Sequence, residues 1–316
     1  MAADAGARRY EIQGRSIYWR LMLTGVFSIA KLLITSAGDV KRFRKPSSGE
    51  DRYVRPERAY ELPPYREGMR VTRSRERYLR PTRYCNPRAP EVVAMAHALG
   101  AFRKSDMAYA EAAFEFVKEE MNTEIAPIDS VEASLRRGTG TCFDVISVFI
   151  ALCRAGGIPA RYKIYSTGMI QSWEDTVINV DPLLKKWYNA LGYFLMEGEG
   201  EAYVDGQWRV AHVGPVAERQ ADTGTPITRF GEDSLGIWFF AQPGTIMRLE
   251  SLPLGLAAGS RLLHAISPGS MERVNVSINK QIERGREILF QAGGVRAYDE
   301  HVRRTKKPPI QQEAEP

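Results

Sequence analysis

The sequence predicts an α+β chain, and three observations carry that prediction. A long apolar helix stops at a glycine pair and runs into a strand. A short apolar run, residues 237–240 (IWFF), reads as a second, buried strand. Amphipathic helices lie on either side of these two. The long helix opens in Gly138-Thr139-Gly140-Thr141-Cys142, where Thr139 or Thr141 supplies the cap for the first free amides. Val145, Ile146, Phe149 and Leu152 recur at helical spacing and Val148 widens the stripe, so this helix is expected to be deeply buried. Gly156-Gly157 stops it, and Ile158-Pro159-Ala160-Arg161 leads into the strand. Residues 108–121 form the amphipathic helix before it. Residues 271–290 form the one after, with Val274, Ile278, Ile282 and Leu289 on one face and Gly285 inside it at a modest propensity cost.

Composition sets the outer bounds. With 316 residues, 44% hydrophobic and 26% charged, the chain is an ordinary globular protein with ample length for a core. No glycine-rich phosphate loop, dinucleotide fingerprint or internal repeat is present. Cys85, Cys142 and Cys153 form no CxxC and cannot all pair, which points to a reducing, cytoplasmic setting. A mixed zinc site from Cys142, Glu197, Glu199 and His212 has no two ligands at short spacing, so neither a metal nor a cofactor is expected.

Cys142 is the residue that offers chemistry. A thiol at a helix N-terminus feels the positive end of the helix dipole, which favours thiolate and makes a nucleophile. Cys153, three turns further along the same helix, reads as an inert core residue.

The run Gly140-Thr141-Cys142-Phe143-Asp144, with Leu152-Cys153-Arg154-Ala155-Gly156-Gly157-Ile158-Pro159-Ala160-Arg161, resembles the transglutaminase-like superfamily of papain-fold thiol enzymes. Residues 201–208 (EAYVDGQW) are similar to that family's hairpin, two strands joined at Asp-Gly with a Trp following, and the resemblance spans about residues 84–215. It implies a papain/transglutaminase-like core: a nucleophile-bearing helix packed on an antiparallel sheet, with helical N- and C-terminal extensions. It also implies a Cys-His-Asp site, and here the sequence departs from it. Cys142 matches, but the His position carries Glu197 and the Asp position carries His212.

Three expectations follow. In a permuted site His212 approaches Cys142 from the second hairpin strand while Glu197 or Glu199 orients it, giving a thioester with an amide or acyl substrate and a peptidase, amidase or acyl transferase. In the second, Cys142 acts through the helix dipole alone. In the third, the site is inactive and the module binds a peptide or protein partner in the same cleft, with His212 a structural histidine and the glutamates solvated.

The segments divide as residues 1–40, an apolar or amphipathic helix; 41–88, a basic arm rich in Tyr, Arg and Pro; 89–245, the core; 246–302, a helical extension; and 303–316, a disordered tail. Residues 21–38 hold one charge, Lys31, and Arg20, Thr24, Lys31 and Thr35 form a narrow polar stripe. Such a helix fits an in-plane anchor on a membrane surface; packing on the domain with the stripe in water, or a true span, are the alternatives. Residues 41–88 carry fifteen Lys or Arg against six Asp or Glu. Three uses suit that arm: an extended strap on the domain with its arginines solvated or paired, contact of residues 16–88 with an anionic membrane surface, or nucleic-acid binding as the lesser alternative. The expected substrate is a peptide or protein, and the expected place is cytoplasmic and peripheral on a membrane.

Overall fold

The structure is a computed structural model and describes residues 23, 26–28, 30–31, 33–45, 52–169, 171–191, 196–235, 239–241 and 245–307. The described residues between 23 and 43 are helical except for a turn at Ser36, and α1 takes the end of that segment, Ala37–Phe43. No helix among the described residues is long and apolar enough to cross a membrane.

Residues 52–88 contain Pro56, Pro63, Pro64, Pro81 and Pro87, which prevent a continuous helix, and they lie extended along the domain. Tyr53 Oη donates to Glu124 at 2.8 Å, Arg55 pairs with the same carboxylate at 3.0 Å, and Tyr60 Oη donates to the Leu135 carbonyl at 2.6 Å. Further on, Thr72 N–H donates to the Ala155 carbonyl, and Arg80 pairs with Glu250 at 2.7 Å. Arg55 and Arg80 of this arm are therefore ion-paired within the protein itself.

Helices α2 (Pro90–Leu99) and α3 (Asp106–Glu120, capped by Ser105) precede a two-residue strand β1 (Asn122–Thr123). Helix α4 (Val131–Arg137, capped by Ser130) leads to β2 (Thr139–Gly140), which pairs parallel with β1. The central helix α5 (Cys142–Gly156) is capped by Thr141, whose hydroxyl accepts from Asp144 N–H while the Asp144 carboxylate accepts from Thr141 N–H. Gly157, at φ +98°, closes it. Every residue from Phe143 to Ala155 is buried, so the dense apolar pattern of the sequence marks a helix enclosed on all sides.

Strand β3 (Ala160–Met169) follows, then α6 (Gln171–Val177), α7 (Pro182–Leu191) and the hairpin of β4 (Met196–Val204) and β5 (Gln207–Ala211). Asp205 and Gly206 both take positive φ at the hairpin turn, the geometry an Asp-Gly pair favours. After α8 (Ala217–Asp222) come β6 (Phe239–Ala241) and β7 (Met247–Leu249). The antiparallel sheet runs β5-β4-β3-β6, and β7 also pairs with β3. Helix α5 can settle on β4 because Gly200 has no side chain: a Cβ there would stand 2.6 Å from Phe149 Cδ1. Ile237 and Trp238 of the second apolar run lie outside the described residues, and the strand seen begins at Phe239.

Three helices complete the chain: α9 (Leu254–Ile266), α10 (Pro268–Gln291) and α11 (Val295–Thr305). Gly285 in α10 is more than a tolerated helix glycine. A Cβ there would lie 1.8 Å from the Glu218 carbonyl oxygen, so this residue sets how closely α10 approaches α8. Disorder was expected from Arg303 onward; instead Arg303 sits in α11, pairing with the buried Asp299 at 2.8 Å and with Glu232 at 2.8 Å. Those ion pairs hold the last turns that composition alone assigns to a tail. Residues 308–316 lie outside the described residues.

Candidate functional site

The capping box puts Cys142 at the first turn of α5, half-buried, with its thiol near the free N–H groups of the helix. Room above it comes from Gly214, where a Cβ would be 3.7 Å from Cys142 Cβ. Glu197, the second residue of β4, lies beside the Cys142 thiol, and its charge and hydrogen-bonding capacity act on it. Its Oε1 also accepts from its neighbour Gly198 N–H at 3.1 Å.

The β3–β4 register explains why Glu197 differs from the other glutamates of its strand. Glu197, Glu199 and Glu201 alternate along β4 and stand opposite Tyr165, Lys163 and Arg161 of β3. Glu199 pairs with Lys163 at 2.8 Å and accepts from Ser234 N–H at 2.9 Å, while Glu201 pairs with Arg161 at 2.6 Å. Both are structural ion pairs across the sheet. Glu197 has a tyrosine opposite it in place of a cation, and its carboxyl goes to the thiol.

A cation does bear on this pair, from α8. The charge of Arg219 acts on both Glu197 and Cys142. This side chain is buried; it donates from Nε to Gln281 Oε1 at 3.0 Å and from Nη1 to Thr123 Oγ1 at 2.8 Å. Burial lowers it to about 9, so it remains a cation at neutral pH. Nothing local in the sequence singles out Arg219. It reaches the site because Gly285 lets α10 close on α8 and bring Gln281 to its guanidinium.

The electrostatics reverse one expectation. Burial and the adjacent Glu197 push the Cys142 thiol well above its usual range, with Asp144 adding to the effect, while the Phe143 N–H pulls the other way. The helix N-terminus does not prevail, because burial and an adjacent anion outweigh partial charges on amides. Burial raises Glu197 to about 7, despite the opposing Gly198 N–H, the thiol and Arg219. At neutral pH the resting pair is a thiol beside a carboxyl poised between its two forms.

His212 stands just beyond β5 and is buried. By continuing the β4–β5 register, it falls beside Glu199 rather than Glu197. Burial, then Lys118, Lys163 and Arg219, lower its pKa well below the ordinary histidine value, so the ring is neutral. Its carbonyl is held by Lys118 Nζ at 3.3 Å, a buried amine that also donates to Gln220 Oε1 at 2.5 Å and Thr228 Oγ1 at 2.9 Å. Of the β4 glutamates, Glu197 is the one whose charge acts on the thiol. Glu199 is committed to Lys163.

Among the described residues, no group of three or more His, Cys, Asp or Glu stands at metal-holding distance. An open cavity of about 980 Å³ lined by Thr82, Arg83, Asn86, Arg88, Glu91 and Arg136, among others, shares no lining residue with the site. That cavity is no substrate cleft for Cys142.

A capped helix presenting a thiol beside an antiparallel sheet that brings a carboxyl to it is a thiol-enzyme-like arrangement. Residues 93–190 are similar to the transglutaminase-like superfamily, whose family model matches them. The matched stretch includes Cys142 and α5 and ends before β4, so it assigns nothing to Glu197 or His212. Among solved structures, a candidate cysteine protease from Cytophaga hutchinsonii matches at 22% identity, with a TM-score of 0.31. The match covers 43% of this chain and 40% of that one, and no argument rests on it. A search of curated proteins found no match.

Proposed function

We propose that the protein is a thiol enzyme acting on an amide or acyl group through a Cys142–Glu197 dyad. The observation that supports this reading is the carboxyl of Glu197 beside the thiol at the start of α5, with Glu197 raised to about 7. A general base works best when its pKa lies near the working pH. In the first step the Cys142 sulfur bonds to the substrate carbonyl carbon while its proton passes to Glu197. That proton then goes to the leaving amine or alcohol as its bond to carbon breaks, leaving a thioester. Water or an amine next attacks the thioester, giving its proton to Glu197, and the departing sulfur takes that proton back. Arg219 offsets the negative charge of Glu197 whenever its carboxyl is ionised between proton transfers. In this reading His212 and Glu199 are positioning residues, and the substrate is a peptide or protein.

One observation favours a second reading. The raised thiol pKa means that no standing thiolate waits in the site. A catalytically degenerate module that binds a peptide or protein partner would show the same.

Acylation by p-nitrophenyl acetate at pH 7, followed by mass spectrometry, separates the two. The enzyme reading expects an acetyl group on Cys142 that turns over to water or an added amine. Glu197→Gln should stall at the acetyl-enzyme, and Cys142→Ala should form none. A wild-type Cys142 that stays unmodified would leave the binding module as the reading to keep.

A further inference from the structure

We propose that α9 and the N-terminal helical segment together form a surface that lies on an anionic membrane. Of the eleven large hydrophobic residues exposed among those described, six lie on these two helices. In the N-terminal segment, Leu23, Val26, Phe27 and Ile34 stand at i, i+3, i+4 and i+11 and share one stripe; they are 55%, 57%, 73% and 81% exposed. The helix therefore turns its apolar stripe outward, while Leu33, Ser36, Asp39 and Val40 take the half-buried side.

Helix α9, LGLAAGSRLLHAI, repeats the arrangement. It carries a single formal charge, Arg261, yet Ala257 is its only buried residue, and Leu254 and Leu262 are more than half exposed. An apolar helix with so little of itself enclosed has kept its hydrophobic surface for another medium. The two helices meet at their C-terminal ends: Gly269 N–H, just past α9, donates to the Arg44 carbonyl at 3.1 Å, and Arg44 reaches the Ala265 carbonyl.

Charge selects the occupant. Residues 23–45 hold Lys31, Lys41, Arg42, Arg44 and Lys45 against one acid, Asp39, which Lys186 pairs. Arg261 is exposed on the open side of α9, which has no acid at all. An exposed apolar stripe with basic residues around it and no free carboxylate suits phospholipid headgroups above an acyl boundary. A second protein copy carrying the same charges would repel it. The surface also touches the catalytic side of the fold: Ser260 Oγ accepts from Ile128 N–H at 3.1 Å, and the next residue, Asp129, donates its N–H to Asp144 of the Cys142 cap.

Flotation of the full chain with phosphatidylcholine vesicles, with and without phosphatidylserine, tests this independently of catalysis. Binding is expected to the anionic vesicles and to weaken with salt. The paired changes Phe27→Asp with Ile34→Asp, and Leu254→Asp with Leu262→Asp, should each weaken it about tenfold or more. All four positions are exposed, so circular dichroism should show unchanged folding. Absence of binding, or binding indifferent to the α9 pair, overturns the proposal. So does a dimer, seen by light scattering, that these changes dissolve while vesicles are ignored.

Discussion

Replacing Glu197 with glutamine should make the protein more stable at pH 8 and change its stability by less than about 1 kcal/mol at pH 5. In the folded chain this carboxyl titrates near 7, against 4.5 when free. As pH rises between those values, the unfolded chain has already released the proton that the folded chain still holds, so stability falls across that window. At about 1.4 kcal/mol per pH unit, the deficit above pH 7 amounts to about 3 kcal/mol, an upper figure because the side chain is only partly covered. Glutamine keeps the shape and the hydrogen-bonding capacity without the charge. Urea unfolding of both proteins at pH 5 and pH 8 gives the double difference, in which Asp144 and Lys118, shared by both, cancel. The thiol supplies a second reading of the same change. With no anion beside it, its pKa falls and iodoacetamide alkylates Cys142 faster at pH 8. A pH-independent difference between the two proteins, or slower alkylation, would refute the account of the dyad.

Two further outcomes bear on the site and its support. His212→Gln should leave the pH profile of Cys142 alkylation in place, because the ring is already neutral and Glu197 holds the thiol. A clear move of that profile would restore the permuted triad. Gly285→Ala should destabilise the fold by about 3 kcal/mol or more in urea unfolding, since its methyl group would overlap the Glu218 carbonyl.

The parts of this fold that were legible in the sequence are those specified locally. The α5 helix, its Thr141 cap and its Gly157 stop are written within seventeen residues, and the Asp-Gly hairpin turn is as local. Cys142 stood out for the same reason. The roles of the three β4 glutamates were not legible, because they depend on which β3 residue each one faces. Strand register is a tertiary quantity; two residues along β4 separate an ion pair with Lys163 from a place beside the thiol. Arg219 was missed because its importance comes from α10, more than sixty residues later, through Gln281. The thiol's direction of titration was misjudged for a related reason. The helix dipole can be read from the chain, whereas burial and an anion on another strand cannot.

The strap formed by residues 52–88 has a consequence for how the protein is made. Tyr53 N–H donates to Glu272 and the Val54 carbonyl accepts from Asn279, partners 219 and 225 residues away. Arg80 waits likewise for Glu250, 170 residues on. During synthesis this arm leaves the ribosome well before its docking sites on α10. At about 5–20 residues per second, the interval is on the order of ten to forty seconds. Glu124 and Leu135 offer the arm partial anchorage sooner. The Tyr53 and Val54 groups that seat on α10 must stay free until that helix is made, so buckling the strap there is a late act of folding.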